Sequence, residues 1–230
     1  MIYLVSDIHG CYFSFLNLLK KIDFKNNDVL YCIGDVIDRG RYSFELLDYF
    51  IQHKNCILIK GNHELFFELF FNQYLSPKDW WRFGGKQTLN DLQNMNIDNK
   101  LKYYNYIHKL PNYEILNEYF LVHSGLNIDL PLVVEDDIIK IKETVDLQIS
   151  KDIYNFFISN DIHYIPKKYF DKKIIVGHTP TLNFGKANIH YGSNCIDIDC
   201  GATYKGGKLG CLRLNDLEEF YVKIENKDLI

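Results

Sequence analysis

Val29-Leu30-Tyr31-Cys32-Ile33-Gly34-Asp35-Val36-Ile37-Asp38-Arg39-Gly40 joins an apolar five-residue run to a turn that carries two carboxylates and a guanidinium between glycines. A short apolar run ending in Gly reads as a buried strand feeding a tight turn. The polar groups then sit at the carboxyl end of a strand, the edge of an open α/β sheet where ligands bind. An acid beside an Arg on a loop also makes an ordinary surface ion pair. The neighbouring segments decide between the two.

On the amino-terminal side, residues 2–6 are β-branched and aromatic and end at Asp7-Ile8-His9-Gly10, after which Phe15, Leu18, Leu19 and Ile22 repeat at helical spacing. On the other side, Phe44, Leu47, Phe50 and Ile51 mark a second helix. Residues 56–59 form a third apolar run with Gly61-Asn62-His63-Glu64 as its exit loop. The first quarter therefore reads β-α-β-α-β with a polar loop after each strand, which implies a parallel sheet. Residues 65–118 are helical and aromatic in texture, with no obvious strand, and read as a helical insertion over one sheet edge. Residues 119–122 resume the strand pattern and reach His123-Ser124-Gly125; residues 174–176 lead into Gly177-His178-Thr179-Pro180. Between them, 130–171 reads as a second excursion with one or two helices. Residues 189–191, 195–198, 209–214 and 219–224 are short runs that suggest antiparallel strands of a second sheet packed on the first.

The chain has 230 residues, 47% of them hydrophobic, enough for one large domain over 1–230 with a substantial core. Its 26 basic and 30 acidic residues give a formal charge of −4, which argues against a broad electropositive face for nucleic acid or membrane. The arginines are Arg39, Arg41, Arg82 and Arg213, so any phosphate must be handled by local groups. The six cysteines include no C-x-x-C pair, and Cys32 and Cys56 lie in apolar runs, as buried thiols do. Nothing at the amino terminus reads as a secretory signal and no apolar stretch reaches transmembrane length, so the expected location is the cytoplasm.

Five strands thus end in Asp7 and His9; in Asp35, Asp38 and Arg39; in Asn62 and His63; in His123; and in His178. One such His is commonly a structural residue; five polar ends in one topological position point to a shared site. His53, His108, His163 and His190 lack that placement. Imidazoles mixed with carboxylates and an amide oxygen suit Mn, Fe, Zn, Co or Ni rather than an all-oxygen Mg or Ca site. The ligands are too many for one tetrahedral centre, so two divalent ions are expected, with a carboxylate such as Asp35 able to bridge them. Such a pair lowers the pKa of a bridging water, supplies hydroxide and neutralises charge on a phosphoryl group during in-line attack. Phosphate ester hydrolysis is the chemistry that follows.

The ordered motifs Asp7-Ile8-His9-Gly10, Gly34-Asp35-Val36-Ile37-Asp38-Arg39-Gly40, Gly61-Asn62-His63-Glu64, His123-Ser124-Gly125 and Gly177-His178-Thr179-Pro180 resemble those of the calcineurin-like metallophosphoesterases. More narrowly, they are similar to the bacterial and phage branch of the serine/threonine protein phosphatases and to the symmetrical dinucleoside tetraphosphatases. The resemblance covers about residues 1 to 205. It implies an α/β fold at the α+β boundary: a four-layer β-sandwich flanked by helices, with helical insertions. It also implies that Asp7 and His9 hold one metal, most simply Mn, that Asp35 bridges both, and that Asn62, His123 and His178 hold the second. His63 resembles the general acid that protonates the leaving alkoxide, Asp38 the carboxylate that orients it, and Arg39 the phosphate clamp. A turn cap is the other reading of Asp38. Glu64 resembles a position that is structural rather than catalytic.

Two departures stand out. The family's second phosphate-binding Arg has no counterpart between Ser124 and Gly177; Lys142 aligns there, and a Lys neutralises a phosphate without the bidentate fork, or is simply a solvated helix lysine. Arg41 stands where the family often has Pro, and either extends the clamp or faces solvent. Trp80, Gly84, Gly85 and Thr88 resemble a segment near the family's substrate cleft, with Phe83 in place of Asn.

The expected function is a metal-dependent phosphomonoesterase acting on phosphoserine or phosphothreonine in proteins. The alternative is hydrolysis of a dinucleoside polyphosphate or other nucleotide, with the aromatic segment around Trp80 and Trp81 stacking a base. A non-catalytic sensor of phosphorylated ligands is the remote third reading, disfavoured because a binding module has no need of a general acid.

Overall fold

The computed structural model describes residues 1–124, 133–135, 138–140, 172–192 and 195–230. In chain order the strands are β1 (Ile2–Val5), β2 (Val29–Ile33), β3 (Cys56–Ile59), β4 (Tyr113–Leu116), β5 (Tyr119–Val122), β6 (Val133–Glu135), β7 (Ile138–Lys140), β8 (Lys173–Val176), β9 (His190–Tyr191), β10 (Cys195–Asp197), β11 (Leu209–Arg213) and β12 (Glu218–Val222). The helices are α1 (Tyr12–Lys21), α2 (Ser43–Gln52), α3 (Asn62–Phe71), α4 (Pro77–Arg82), α5 (Lys86–Asn94) and α6 (Ile97–His108).

Two five-stranded sheets organise these elements, in the orders β12-β11-β1-β2-β3 and β4-β5-β8-β10-β9. The β1, β2 and β3 pairings are parallel, as the alternation with helices requires. These strands read as continuous apolar runs because both their faces are covered. Tyr3, Val5, Leu30, Cys32, Cys56 and Leu58 face a helical layer that includes Phe15, Leu18, Leu47, Phe50 and Phe67. Leu4, Tyr31, Ile33 and Ile59 face the other way, onto Leu121, Ile175, Ile196 and Ile198 of the second sheet. The side-chain period of two therefore sends successive residues into two cores, one between helices and sheet and one between the sheets. This is the expected mixed α/β sandwich.

Four readings of the sequence are corrected. Asn62, His63 and Glu64 are the first turn of α3 rather than a loop. β4 is a strand inside a segment that shows no strand signal; it is a half-buried edge strand of Tyr113, Glu114, Ile115 and Leu116, and partial burial leaves neither a clean alternation nor an apolar run. The last four strands do not make a sheet of their own: β11 and β12 extend the first sheet antiparallel, while β10 joins the second, parallel to β8. In the second excursion, read as one or two helices over 130–171, residues 133–135 and 138–140 form the antiparallel pair β6 and β7; the rest of that stretch lies outside the described residues. Lys142 lies there too. Among the described residues, no helix is long and apolar enough to cross a membrane.

The chain's end closes on its beginning. The Asp228 carboxylate accepts the N–H groups of Phe13 and Ser14 at 3.1 and 2.8 Å, satisfying orphan donors in the first turn of α1. Arg41 belongs to this junction: its backbone N–H donates to Asp228 O at 2.9 Å and its Nε to Leu229 O.

Candidate metal centre

The exits of β1, β2, β3, β5 and β8 converge. Asp7 N–H donates to Gly34 O, His9 N–H to Asp35 O and Gly10 N–H to Val36 O, so the loops after β1 and β2 run side by side. The second sheet joins through His178 N–H, which donates to Asp7 Oδ2 at 2.9 Å, and Gly177 N–H, which donates to His123 O. Ten non-glycine residues among those described have positive φ, and six of them are Asp7, His9, Asp35, Asp38, Arg39 and His178. Strain of this kind persists only where the surroundings over-determine it. Here the crossing hydrogen bonds do so, and the turn leaves no slack: a Cβ on Gly34 would lie 2.4 Å from His123 Nδ1.

Glu64 is the main brace. Fully buried at the third position of α3, its carboxylate accepts N–H groups from Asp35 (2.8 Å), Val36 (2.9 Å), Ile37 (3.4 Å) and Gly61 (2.9 Å). It caps its own helix and holds the turn that carries Asp35 at once. Glu64→Gln turns an NH2 group toward two of these donors, and buried donors left without an acceptor cost about 1–3 kcal/mol each. The expected loss is about 3 kcal/mol, or about 10 °C in Tm. An unchanged melting curve for the variant refutes this role.

The imidazoles share one design. His9 Nδ1 bonds Ile37 O at 3.0 Å and His123 Nδ1 bonds Ile33 O at 2.8 Å, so each presents Nε2 inward, as metal-binding histidines do when a backbone carbonyl fixes the ring. His9 Nε2 is buried without a hydrogen-bond partner, 3.9 Å from Asp7 Oδ1 and 3.8 Å from Asp35 Oδ2. On the other side of Asp35, His123 Nε2 lies 3.3 Å from Asp35 Oδ2, 2.9 Å from Asn62 Oδ1 and 3.2 Å from His178 Nδ1. Two groups of potential ligands result, His9/Asp35/His63 and Asp35/His123/His178, with Asp35 common to both.

The electrostatics ask for positive charge. Burial, followed by the Arg39 and His63 charges, holds His9 well below its usual value. Burial, with His123 adding to it, brings His178 down to about 3. Both rings are thus neutral and keep a lone pair for a metal. Burial lifts Asp7 to about 6, with Asp35 adding to it. His123 is the exception: burial lowers it, but Asp35 and then Asp7 outweigh that and raise it to about 10. Its single Nε2 proton faces Asp35, Asn62 and His178 together. Divalent cations answer the same demand with more charge and more coordination positions, and the donor set of imidazole, carboxylate and amide oxygen fits them.

Beside this cluster stands a second assembly. Asp38 is fully buried and its carboxylate accepts from His63 Nδ1 (2.7 Å), Trp80 Nε1 (2.6 Å) and Thr88 Oγ1 (2.6 Å). Its backbone N–H donates to Ser43 Oγ at 2.9 Å. Three donors on one carboxylate fix the His63 ring with Nδ1–H toward Asp38 and Nε2 outward. His63 Nε2 lies 3.8 Å from Asp35 Oδ2, and Arg39 Nη2 approaches it at 3.2 Å. A positive guanidinium therefore stands beside a ring that also belongs to one of the two potential ligand groups. The Arg39 Nη1 group also donates to Tyr204 Oη at 3.3 Å.

The structure brings Asp7, His9, Asp35, Asn62, His123 and His178 together, with His63, Asp38 and Arg39 beside them, and leaves two of the sequence-derived residues elsewhere. Arg41 is tied to the carboxyl-terminal turn, and Trp80 is completely buried, its indole N–H spent on Asp38. The sequence did not single out Tyr204, and it placed Trp80 and Thr88 near a substrate cleft rather than on the Asp38 carboxylate. A fixed spacing from Asp38 gives no clue to them, since the partners lie 42 and 50 residues on.

The model of the calcineurin-like phosphoesterase family matches residues 1–218. The symmetrical bis(5'-nucleosyl)-tetraphosphatase of Chromobacterium violaceum is 27% identical over 172 residues, 74% of this chain and 58% of that protein. The chain therefore spans little more than half the length of such relatives. The asymmetrical bis(5'-nucleosyl)-tetraphosphatase PrpE of Anoxybacillus flavithermus is 28% identical over 239 residues, 95% of this chain and 92% of that one. A crystal structure named as a candidate diadenosine tetraphosphatase shares the fold with a TM-score of 0.64 at 19% identity, covering 98% and 94% of the two chains.

Proposed function

The chain belongs to the calcineurin-like phosphoesterase family, a metallophosphoesterase hydrolase, and from that premise we propose that it hydrolyses a dinucleoside polyphosphate. Support for the substrate comes from the near end-to-end match to an asymmetrical tetraphosphatase, which favours a nucleotide over the phosphoprotein expected from the motifs alone. Asp7, His9 and Asp35 would hold one divalent ion, and Asp35, Asn62, His123 and His178 a second, with Mn the first choice and Fe, Zn, Co or Ni the others. Bound there, the ions supply an activated water and neutralise charge building on the phosphoryl group.

The chain's own residues do the rest. Arg39 grips the phosphoryl oxygens with its planar fork. As the water oxygen forms its bond to phosphorus and the bond to the leaving oxygen breaks, His63 Nε2 delivers a proton to that oxygen. Asp38, bonded to Nδ1, keeps Nε2 aimed at that oxygen. The observation that carries this reading is the arrangement of Asp35 within 3.8 Å of His9, His63 and His123 at once. Arg41 is left outside the clamp, its Nε held by Leu229 O.

Chelation is expected to abolish hydrolysis of p-nitrophenyl phosphate and Mn to restore it, with two ions per chain by metal analysis; full activity in the stripped protein excludes the mechanism. Diadenosine tetraphosphate is expected to turn over with a higher kcat/KM than a phosphoserine peptide. The reverse order would favour a phosphoprotein substrate. That second reading has its own support in the fully built His63 and Asp38 pair, because a general acid matters most when the leaving group is an alkoxide.

A further inference from the structure

Two exposed aromatic residues are tied to Arg39, Tyr204 through its ring and hydroxyl and Phe83 through the adjoining Gly84. Phe83 is 50% exposed and Tyr204 47% exposed. Single exposed apolar side chains are common on protein surfaces, so what sets these two apart is their attachment to Arg39. We infer that Phe83 and Tyr204 form the subsite that stacks the nucleobase of a nucleotide whose phosphate is held by Arg39. This rests on the nucleotide reading of the site and adds the residues that select for a base.

Phe83 is mounted rigidly. Its ring stacks on Phe66 with centroids 4.7 Å apart and planes at 20°. Phe66 is nearly buried and meets His63 edge-on at 5.4 Å. The platform is thus continuous with the proposed acid. The next residue, Gly84, accepts the Arg39 N–H at 3.0 Å, and a Cβ there would lie 2.7 Å from Arg39 Cγ. Phe83 and the clamp are therefore fixed to each other through one residue with φ of +103°.

Tyr204 is held as firmly. Its N–H donates to Gly201 O and its own carbonyl accepts from Gly207, closing a tight turn. Its ring lies 5.6 Å from Arg39 Cζ. An anionic phosphate joined to a flat base matches a guanidinium with exposed aromatic residues tied to it, and stacking tolerates any base because each has a π-face. Trp80 and Trp81 are poor candidates. Trp80 has no exposed surface, and Lys86 Nζ sits over the Trp81 ring at 4.9 Å.

The test compares competitive inhibition by AMP and by inorganic phosphate, with p-nitrophenyl phosphate as the reporter substrate. Phe83→Ala is expected to raise the AMP inhibition constant about tenfold, the loss of one stacking partner. The phosphate constant is expected to stay within about twofold, since it reports only the clamp. Phe83→Trp should restore AMP binding; it also guards against a misfolded Ala variant. Equal shifts for AMP and phosphate, or no shift for AMP, overturn the subsite. If the parent protein turns over diadenosine tetraphosphate with a KM that Phe83→Ala leaves alone, the subsite fails while the proposed substrate stands. If AMP binding responds to Phe83 but the dinucleotide is not cleaved, the subsite stands and the proposed substrate fails.

Discussion

Asp35→Asn is expected to empty both halves of the metal centre and to lower turnover by about 10³-fold. The substitution is close to isosteric. An amide oxygen can still accept the His63 N–H that Asp35 Oδ1 takes at 2.9 Å, and the Asp35 N–H stays on Glu64. The turn should therefore survive, and the charge alone is lost. That charge is the one anion placed against His9, His63 and His123 together, and those neighbours hold Asp35 well below the usual carboxylate range against the upward push of burial. Neutralising a shared ligand removes attraction for both cations, and charge stabilisation by metals amounts to several kcal/mol, so about 4 kcal/mol or 10³-fold follows. Metal analysis and the melting curve separate this from unfolding. Loss of bound Mn with an intact transition supports the bridging role, and a variant that keeps two ions and full turnover refutes it.

The convergence of these residues was largely legible in the sequence because each candidate ligand follows a strand buried on both faces, and such strands announce themselves as unbroken apolar runs. Val29–Ile33 and Cys56–Ile59 have the same limits in the sequence reading and in the structure. What the reading could not supply was contact at a distance. The turn after β3 reads as a loop because Gly61 punctuates it, yet Glu64 folds back on Gly61 N–H and starts a helix there. β10 carries no mark of its direction, and only its parallel pairing with β8 reveals which sheet it joins. Arg41, two residues from the phosphate clamp, looks like part of it until the chain's last residues are seen to bind it. The Trp80 segment resembles one near a substrate cleft, whereas the Trp80 indole N–H is buried and donates to the carboxylate of Asp38.

The second large effect is expected at His63, and its size should depend on what leaves. His63→Asn removes the group proposed to protonate the departing oxygen, while α3 and the Asp35 contact to its backbone N–H remain. General acids contribute about 10²–10⁴-fold. An alkoxide from a phosphoserine peptide departs poorly without a proton, so the upper part of that range, about 10³-fold or more, is expected there. A nucleotide phosphate or p-nitrophenolate leaves with far less help, and the loss should fall to about 10²-fold or below. Asp38→Asn should reproduce the pattern in weaker form, because Trp80, Thr88 and His63 all donate to that carboxylate and an amide can serve only part of the set. The readout is the ratio of losses across leaving groups at unchanged metal content. A role confined to holding metal or fold would depress every substrate alike, so equal losses would rule out proton donation by His63.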